Sequence, residues 1–307
     1  MGKIAVLMST YNGEKYIEEQ IDSILNQKCN CEIDLIIRDD GSKDNTKQII
    51  KKYVAANKIK AYSGGNMGAG YGFISMIRDN PGYDYYAFSD QDDFWYEKKL
   101  QKGIDKIKAI DNYALYCSNA EMCDSSLNFL GRNVHKKMTL FNKERVFLGL
   151  ACAQGCTCIF NKQLAEIIQK SPMPKDIVLH DSYITCLCFA LGGYFFADEW
   201  PSMRYRMHGN NIGGLITKSQ SNVCLMLKKR FEYIKNSPQH SIIEQNIYIL
   251  NNYSKNIDNI SKKLIYEIIQ SKKKIRFRLK YCISKKIKDE TMNLSIANLL
   301  KILFNNY

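Results

Sequence analysis

The residues with the clearest chemical content lie together at Asp90-Gln91-Asp92-Asp93, directly after the apolar run Tyr85-Tyr86-Ala87-Phe88-Ser89. Three carboxylates within four positions repel one another, and a plain loop gains nothing from them. A divalent cation reverses that balance. Carboxylate oxygens are hard ligands suited to Mg²⁺ or Mn²⁺, which in turn grip phosphate oxygens. The stretch therefore points to an enzyme that handles a nucleotide diphosphate. The same residues would also serve as an acidic turn capping the following helix, because Asp is a good N-cap. Two further polar clusters, Ser9-Thr10-Tyr11-Asn12 and Asp39-Asp40-Gly41-Ser42, also follow apolar runs.

The elements that must carry these clusters alternate. Strands are expected over Lys3–Thr10, Ile33–Ile37, Lys58–Tyr62 and Tyr85–Ser89, the first two apolar enough to be buried on both faces. Ile17, Ile21, Ile24 and Leu25 recur at helical spacing. Helices are also expected over Asp44–Ala56, with Asp44 as N-cap, over Ala69–Asp79 and over Glu97–Ile110. A β-α-β-α-β-α-β order predicts an α/β fold with a mostly parallel sheet flanked by helices. In such sheets ligands bind beyond the carboxyl ends of the strands, where all three polar clusters fall. Beyond Tyr113 the pattern loosens. Helices are expected over Lys162–Gln169 and Asp181–Leu191, and strands over Tyr194–Ala197 and Met203–Arg206.

The chain has 307 residues, 45% of them hydrophobic, so it can bury a sizeable core. No window of eighteen apolar residues occurs, which excludes a membrane-spanning helix, and the first apolar run is too short for a signal peptide. Eleven cysteines lack paired C-x2-C spacing, so reduced thiols in a cytoplasm are expected rather than zinc knuckles or a disulfide framework. The formal charge of +13 is unevenly spread. Residues 220–307 hold 17 Lys/Arg against 6 Asp/Glu, whereas residues 1–219 hold 27 against 25. A composition boundary falls near Gly213-Gly214. The expected organisation is a catalytic unit over 1–215, with a nucleotide-binding half over about 1–112 and an acceptor half over about 113–215, followed by a basic helical region over 216–307.

The succession Val6-Leu7-Met8-Ser9-Thr10-Tyr11-Asn12-Gly13, Ser23-Ile24-Leu25-Asn26-Gln27, Ile36-Ile37-Arg38-Asp39-Asp40-Gly41-Ser42-Lys43-Asp44 and Phe88-Ser89-Asp90-Gln91-Asp92-Asp93-Phe94-Trp95 resembles glycosyltransferase family 2 over roughly residues 3–215. The resemblance implies a GT-A fold and inverting transfer from a nucleotide-diphosphate sugar, with Mg²⁺ or Mn²⁺ as cofactor. By it, Ser9 and Tyr11 border the base pocket and Asp40 bonds the pyrimidine edge, with Asp39 adjacent. Asn66 lies in a donor-side N-x-G segment. Asp90 approaches the ribose, Asp92 the metal, and Asp93 supports the same cluster. The residues themselves agree in part. A pyrimidine ring N–H needs an acceptor, and a departing pyrophosphate needs a cation.

Inversion needs a general base on the acceptor hydroxyl. Asp181, in Val178-Leu179-His180-Asp181, matches the position of the family's base, with His180 standing where an acidic partner is usual. A plain helix N-cap is the alternative. His208, in Tyr205-Arg206-Met207-His208-Gly209-Asn210-Asn211, occupies the place of a histidine near the metal-bound pyrophosphate, which implies a phosphate or metal role beside the metal residues Asp92 and Asp93. The wording of these motifs is similar to bacterial rhamnosyltransferase-type members, which implies dTDP-rhamnose as donor and a glycan acceptor in O-antigen or capsule synthesis. A UDP-hexose-dependent enzyme of the same fold is the nearest alternative. A sugar nucleotidyltransferase would show a glycine-rich phosphate loop with a basic residue after the first strand, which Ser9-Thr10-Tyr11-Asn12 lacks. A non-catalytic carbohydrate-binding subunit would not need Asp181. Gly64-Gly65-Asn66-Met67-Gly68-Ala69-Gly70-Tyr71-Gly72 follows the third strand, not the first, and is out of register for a dinucleotide fingerprint.

Lys228-Lys229-Arg230, Lys272-Lys273-Lys274-Ile275-Arg276-Phe277-Arg278-Leu279-Lys280 and Lys285-Lys286 mix cations with apolar residues. This suits an anionic membrane surface, where each basic residue contributes about 1 kcal/mol. A solvated helical face is the plainer reading, and no nucleic-acid motif accompanies the charge. The expected place is cytoplasmic, peripheral at the inner face of the membrane and close to a lipid-linked glycan acceptor.

Overall fold

The structure is a computed structural model and describes residues 1–65, 68–138, 141–174, 179–208, 242–271, 274–284 and 302. Asn66, the boundary near Gly213-Gly214 and the basic runs at 228–230, 272–273 and 285–286 lie outside the described residues.

The four strands expected in the first third form: β1 (Lys3–Thr10), β2 (Glu32–Asp39), β3 (Lys60–Ser63) and β4 (Tyr85–Ser89). They pair in parallel in the order β3-β2-β1-β4. Between them run α1 (Ile17–Leu25), α2 (Thr46–Ala55) and α3 (Ala69–Asp79). The alternation of β1 explains the layering. Ile4, Val6 and Met8 enter one core with Ile17, Ile21, Ile50 and Leu100, while Ala5 and Leu7 enter the other with Phe73, Ile74 and Leu187. Successive side chains of a strand point to opposite faces, so a strand covered on both sides must be apolar throughout. Asp44 does not become the residue flanking α2. It lies one residue earlier, and its carboxylate accepts from the Thr46 N–H at 3.1 Å and the Thr46 hydroxyl at 2.5 Å.

The second half adds β5 (Phe94–Trp95), α4 (Lys99–Ile107), β6 (Ala114–Cys123), β7 (Phe129–Asn133), α5 (Lys143–Phe147), a 3₁₀ turn (Gly155–Thr157), β8 (Ile159–Asn161), α6 (Lys162–Gln169), α7 (His180–Ala190) and β9 (Tyr194–Arg206). The sheet continues β4-β8-β6-β9-β5, with β7 on β6. β8 is antiparallel to both β4 and β6, whereas β9 runs parallel to β6. Two expected short strands are thus one. The register of β6 against β9 shifts twice between Ser118 and Glu121, opposite Asp198–Arg204, with Pro201 facing Asn119. A bulge accommodates the proline, which has no N–H to give the ladder. β6 was hidden in the sequence because Ser118, Asn119 and Glu121 interrupt its apolar run.

Residues from the basic region complete the core. α8 (Ile242–Tyr253) and α9 (Asn259–Ser271) bury Ile243, Ile249, Tyr253, Ile265 and Ile268 against the same cluster as α5 and α7. Asn246 donates to the Phe147 carbonyl at 2.7 Å, and Lys143 pairs with Asp258 at 2.7 Å. A short α10 (Ile275–Ile283) follows. The ten cysteines among the described residues are free thiols. No helix among the described residues is long and apolar enough to cross a membrane.

Candidate active site

The register of the parallel strands brings the polar clusters to one edge. Ser9 and Thr10 of β1 lie beside Arg38 and Asp39 of β2, and Met8 lies beside Ser89 of β4. The loops leaving β1 and β2 then brace each other. Asn12, at φ 51°, accepts from the Lys43 N–H at 2.8 Å through its side chain and donates its own N–H to Ser42 Oγ at 2.9 Å. Gly13 N–H donates to Thr46 Oγ1 at 2.8 Å, and Glu14 accepts from the Asn45 N–H at 2.8 Å. Asp39 spends its carboxylate on this turn, accepting from the N–H groups of Gly41 and Ser42 at 3.2 and 3.1 Å. Asp40 faces the other way. It is ion-paired with Arg38 at 2.8 Å and accepts from the Ser9 hydroxyl at 3.3 Å. Burial raises its pKa, with Arg38 and Ser9 opposing. Tyr11 stands at the lip, 43% exposed.

Gln91 fixes this lip, and nothing in its residue type announced that. Its amide oxygen accepts from the Thr10 hydroxyl and from the Tyr11 N–H at 3.0 Å, and its NH₂ donates to the Tyr11 carbonyl at 3.2 Å. A Cβ on Gly13 would stand 2.3 Å from that amide oxygen, so glycine there is a condition of the staple.

The acidic cluster divides into three environments. Asp92 is partly exposed and pairs with His208, carboxylate to Nε2 at 2.7 Å. Asp93 is fully buried under the turn and accepts from the Arg206 N–H at 3.1 Å. Asp90 lies between, half-buried. Burial, then the charges of Asp92 and Asp181, push its pKa up to about 7. Burial followed by Asp92 and Asp90 push Asp93 well up. Ligand atoms of Asp90, Asp93 and Cys156 lie within 4.8 Å of one another. Cys156 comes from the 3₁₀ turn and was not a candidate. Burial holds its thiol well up, so it serves there as a neutral neighbour.

Arg206 organises the turn from below. Its Nε donates to the Asp92 carbonyl at 2.7 Å, Nη1 to the Ser125 carbonyl at 2.6 Å, and Nη2 to Glu19 at 2.5 Å. The ring of Tyr16 has the Arg206 guanidinium 4.3 Å from its centroid and stacks with the His208 ring at 5.4 Å. Beneath lies Lys99, fully buried, its Nζ on Ser202 Oγ at 3.0 Å and 4.6 Å over the Trp95 ring. Burial lowers its pKa to about 8.

Asp181 enters from α7. It stands in the first helical turn, where a carboxylate is favoured by the helix dipole, and accepts from the Ser182 N–H at 2.7 Å. Burial still pushes its pKa up to about 6. Its charge raises the pKa of Asp90 as well, so the two carboxylates are close enough to interact. His180 does not join them. Its ring packs on Phe73 at 4.0 Å and Phe88 at 4.7 Å, and neither nitrogen has a hydrogen-bond partner among the described residues. Burial drives its pKa down to about 3, so it is neutral.

Residues 5–168, more than half the chain, match the model of glycosyl transferase family 2. The chain belongs to that family. The dTDP-rhamnosyl transferase RfbG of Shigella flexneri is 34% identical over 67% of this chain and 73% of its own. An uncharacterised glycosyltransferase of Nostoc is 35% identical over 36% of this chain and 34% of its own. Among solved structures, TarS residues 1–349 of S. aureus superimpose at a TM-score of 0.56 and 16% identity, covering 98% of this chain and 81% of that one. The mannosyltransferase PcManGT of Pyrobaculum calidifontis, solved with GDP-Man and Mn²⁺, gives 0.52 and 14% identity over 100% and 88%. The fold is therefore GT-A, and this family 2 member is a nucleotide-sugar glycosyltransferase. The residues expected from the family's motifs are brought together at one sheet edge. Asn66 and the segment Gly209-Asn210-Asn211 lie outside the described residues. Gln91, Arg206, Cys156 and Lys99 were missed, since their places depend on contacts 80 or more residues apart or on burial. Arg206 was visible only as a neighbour of His208.

Proposed function

We propose that this enzyme is an inverting transferase of polysaccharide synthesis in which Asp181 is the base. The supporting observation is the convergence, at one sheet edge, of the Tyr11–Asp40 corner, the Asp92–His208 pair and Asp181. Asp181 takes the proton of an acceptor hydroxyl. The hydroxyl oxygen bonds to the anomeric carbon from the face opposite the leaving group, and the bond from that carbon to the diphosphate oxygen breaks. Asp92 and His208 would hold Mg²⁺ or Mn²⁺. A carboxylate and an imidazole already 2.7 Å apart and partly water-facing fit such an ion. That ion supplies charge stabilisation for the departing diphosphate. Ser9, Tyr11 and Asp40 border the base, Asp39 shapes the loop beside it, Asn66 lies on the donor side, Asp90 faces the ribose, and Asp93 supports Asp92 from beneath.

RfbG's name supports dTDP-rhamnose as donor, and the acceptor is read as a glycan. The catalytic unit is 1–215 and the basic region 216–307, whose exposed Ile260, Tyr266, Ile275 and Leu279 stand among lysines and arginines. These suit peripheral attachment to an anionic membrane carrying a lipid-linked acceptor. A thermal-shift screen of dTDP-, UDP- and GDP-sugars with Mg²⁺ or Mn²⁺ tests the donor. The true donor at a hundred times its Kd adds about 2.7 kcal/mol, and stabilisation by UDP-hexoses but not dTDP-rhamnose rejects the rhamnosyl assignment. Liposome co-sedimentation tests the surface. Equal binding to neutral and anionic vesicles rejects the electrostatic attachment.

A further inference from the structure

The glycine-rich run after β3 houses a buried arginine. Arg38 is 3% exposed at the carboxyl end of β2. A Cβ on Gly64 would stand 2.3–2.6 Å from its Nε, Nη2 and Cζ, and a Cβ on Gly72 would stand 2.5 Å from its Nη1. Any side chain at either position would push the guanidinium out. The same nitrogens make polar contacts, Nη2 to the Gly65 carbonyl at 2.8 Å and Nη1 to Asp40 at 2.8 Å. The cradle therefore fixes Arg38 against one carboxylate. Such a buried pair is poor as a source of stability, because desolvation offsets most of the attraction, but it fixes charge and geometry.

That carboxylate takes the Ser9 hydroxyl on its Oδ2, and Ser9 lies two residues before Tyr11 on the same strand end. A buried carboxyl left without a cation takes up a proton and changes from an acceptor into a donor. The distinction matters to a nucleobase. Uracil and thymine present a ring N–H at N3, flanked by carbonyls. Cytosine presents a bare acceptor at N3 and an amino group beside it.

We propose that Arg38, seated between Gly64 and Gly72, is the positioning residue that sets nucleobase preference, by holding Asp40 as an anionic acceptor that admits uracil or thymine and rejects cytosine. The inference rests on the reading of the Ser9–Tyr11–Asp40 corner as the base pocket. It gives the glycine run a function that is neither a phosphate loop nor a flexible linker. The chain's departure from a plain apolar residue at the end of β2 then has a purpose.

The test is calorimetric titration of the full-length protein with UDP, dTDP and CDP in Mg²⁺, for wild type, Arg38→Met, Gly72→Ala and Asp40→Asn. The wild type binds UDP or dTDP at least about tenfold more tightly than CDP, the worth of one hydrogen bond to a charged group. Arg38→Met loses about tenfold to a hundredfold in UDP and dTDP affinity while CDP is unchanged or improved, so the ratio collapses. Gly72→Ala keeps the arginine but displaces it, and collapses the ratio in the same way. It carries the test should Arg38→Met fail to fold. If Asp40→Asn loses the preference while Arg38→Met or Gly72→Ala retains it, the role of Arg38 is overturned and the base pocket stands. If Asp40→Asn also leaves UDP and dTDP binding intact, the base-pocket reading itself falls, and the inference with it.

Discussion

Asp181→Asn separates a strained, catalytic carboxylate from one kept for the helix dipole by the sign of its effect on stability. Asp181 is half-buried, and the burial raises its pKa from 3.8 to about 6. The folded protein therefore holds this proton more tightly than the unfolded chain does. Stability contributed by the group is full below about pH 4 and is lost as pH rises through about 6. The gap between those two values corresponds to about 3 kcal/mol at 1.36 kcal/mol per tenfold in acidity. The side chain reaches water at the cleft, so about 1–3 kcal/mol is expected. Asparagine keeps the oxygen that accepts from the Ser182 N–H and carries no proton to lose. In EDTA at pH 8 the variant should melt about 2–6 °C above wild type, and at pH 4 the two should coincide. Transfer to acceptor should fall at least about a hundredfold at unchanged donor affinity, the usual worth of a general base. A carboxylate kept only for its charge at the helix N-terminus does the reverse, since asparagine keeps the hydrogen bond but loses about 0.3–1 kcal/mol of dipole interaction at neutral pH. Scanning calorimetry across pH 4–8 with parallel transfer assays decides the matter. A variant that melts at or below the wild type at pH 8, or one that transfers at near-normal rate, refutes the reasoning.

Other expectations follow from the same geometry. For the wild type, kcat/KM should rise about tenfold per pH unit below about pH 6 and level off above it, since Asp181 must be ionised; a profile flat from pH 5 to 8 would exclude it as base. His208→Ala should weaken Mn²⁺-dependent thermal stabilisation more than it alters the metal-free melting temperature, because the His208–Asp92 pair is partly exposed and contributes little to the core. Gln91→Leu should raise KM for the donor severalfold with little change in kcat, read from initial rates, because it frees the Tyr11 lip without touching Asp181. Gly103→Ala should cost about 1–3 kcal/mol in urea denaturation, since its Cβ would stand 2.4 Å from Ile159 Cδ1 and 2.9 Å from the Tyr116 ring.

Much of this protein is written locally. The alternation of Ile4, Val6 and Met8 with Ala5 and Leu7, and the helical spacing of Ile17, Ile21 and Ile24, require a doubly covered strand and its crossover helix. Parallel connection then forces Ser9, Asp40 and Asp90 to one edge, so the place of the site was legible. Motif order marks Asp181 as the candidate base, and the fold places it in the first turn of α7. β6 and the single long β9 were not legible. Their polar residues are satisfied by partners distant in sequence, such as Ser118 by Ser202 at 2.6 Å. The division of labour among the carboxylates also needed tertiary structure. Asp39, Asp40, Asp90, Asp92 and Asp93 are one residue type. Only the fold gives Asp39 a turn, Asp40 a buried arginine, Asp92 a histidine and Asp93 a backbone N–H from the far end of the sheet. Sequence fixes which groups can ionise. What each does depends on burial and on the charges beside it, and both are properties of contacts that the chain makes only when folded.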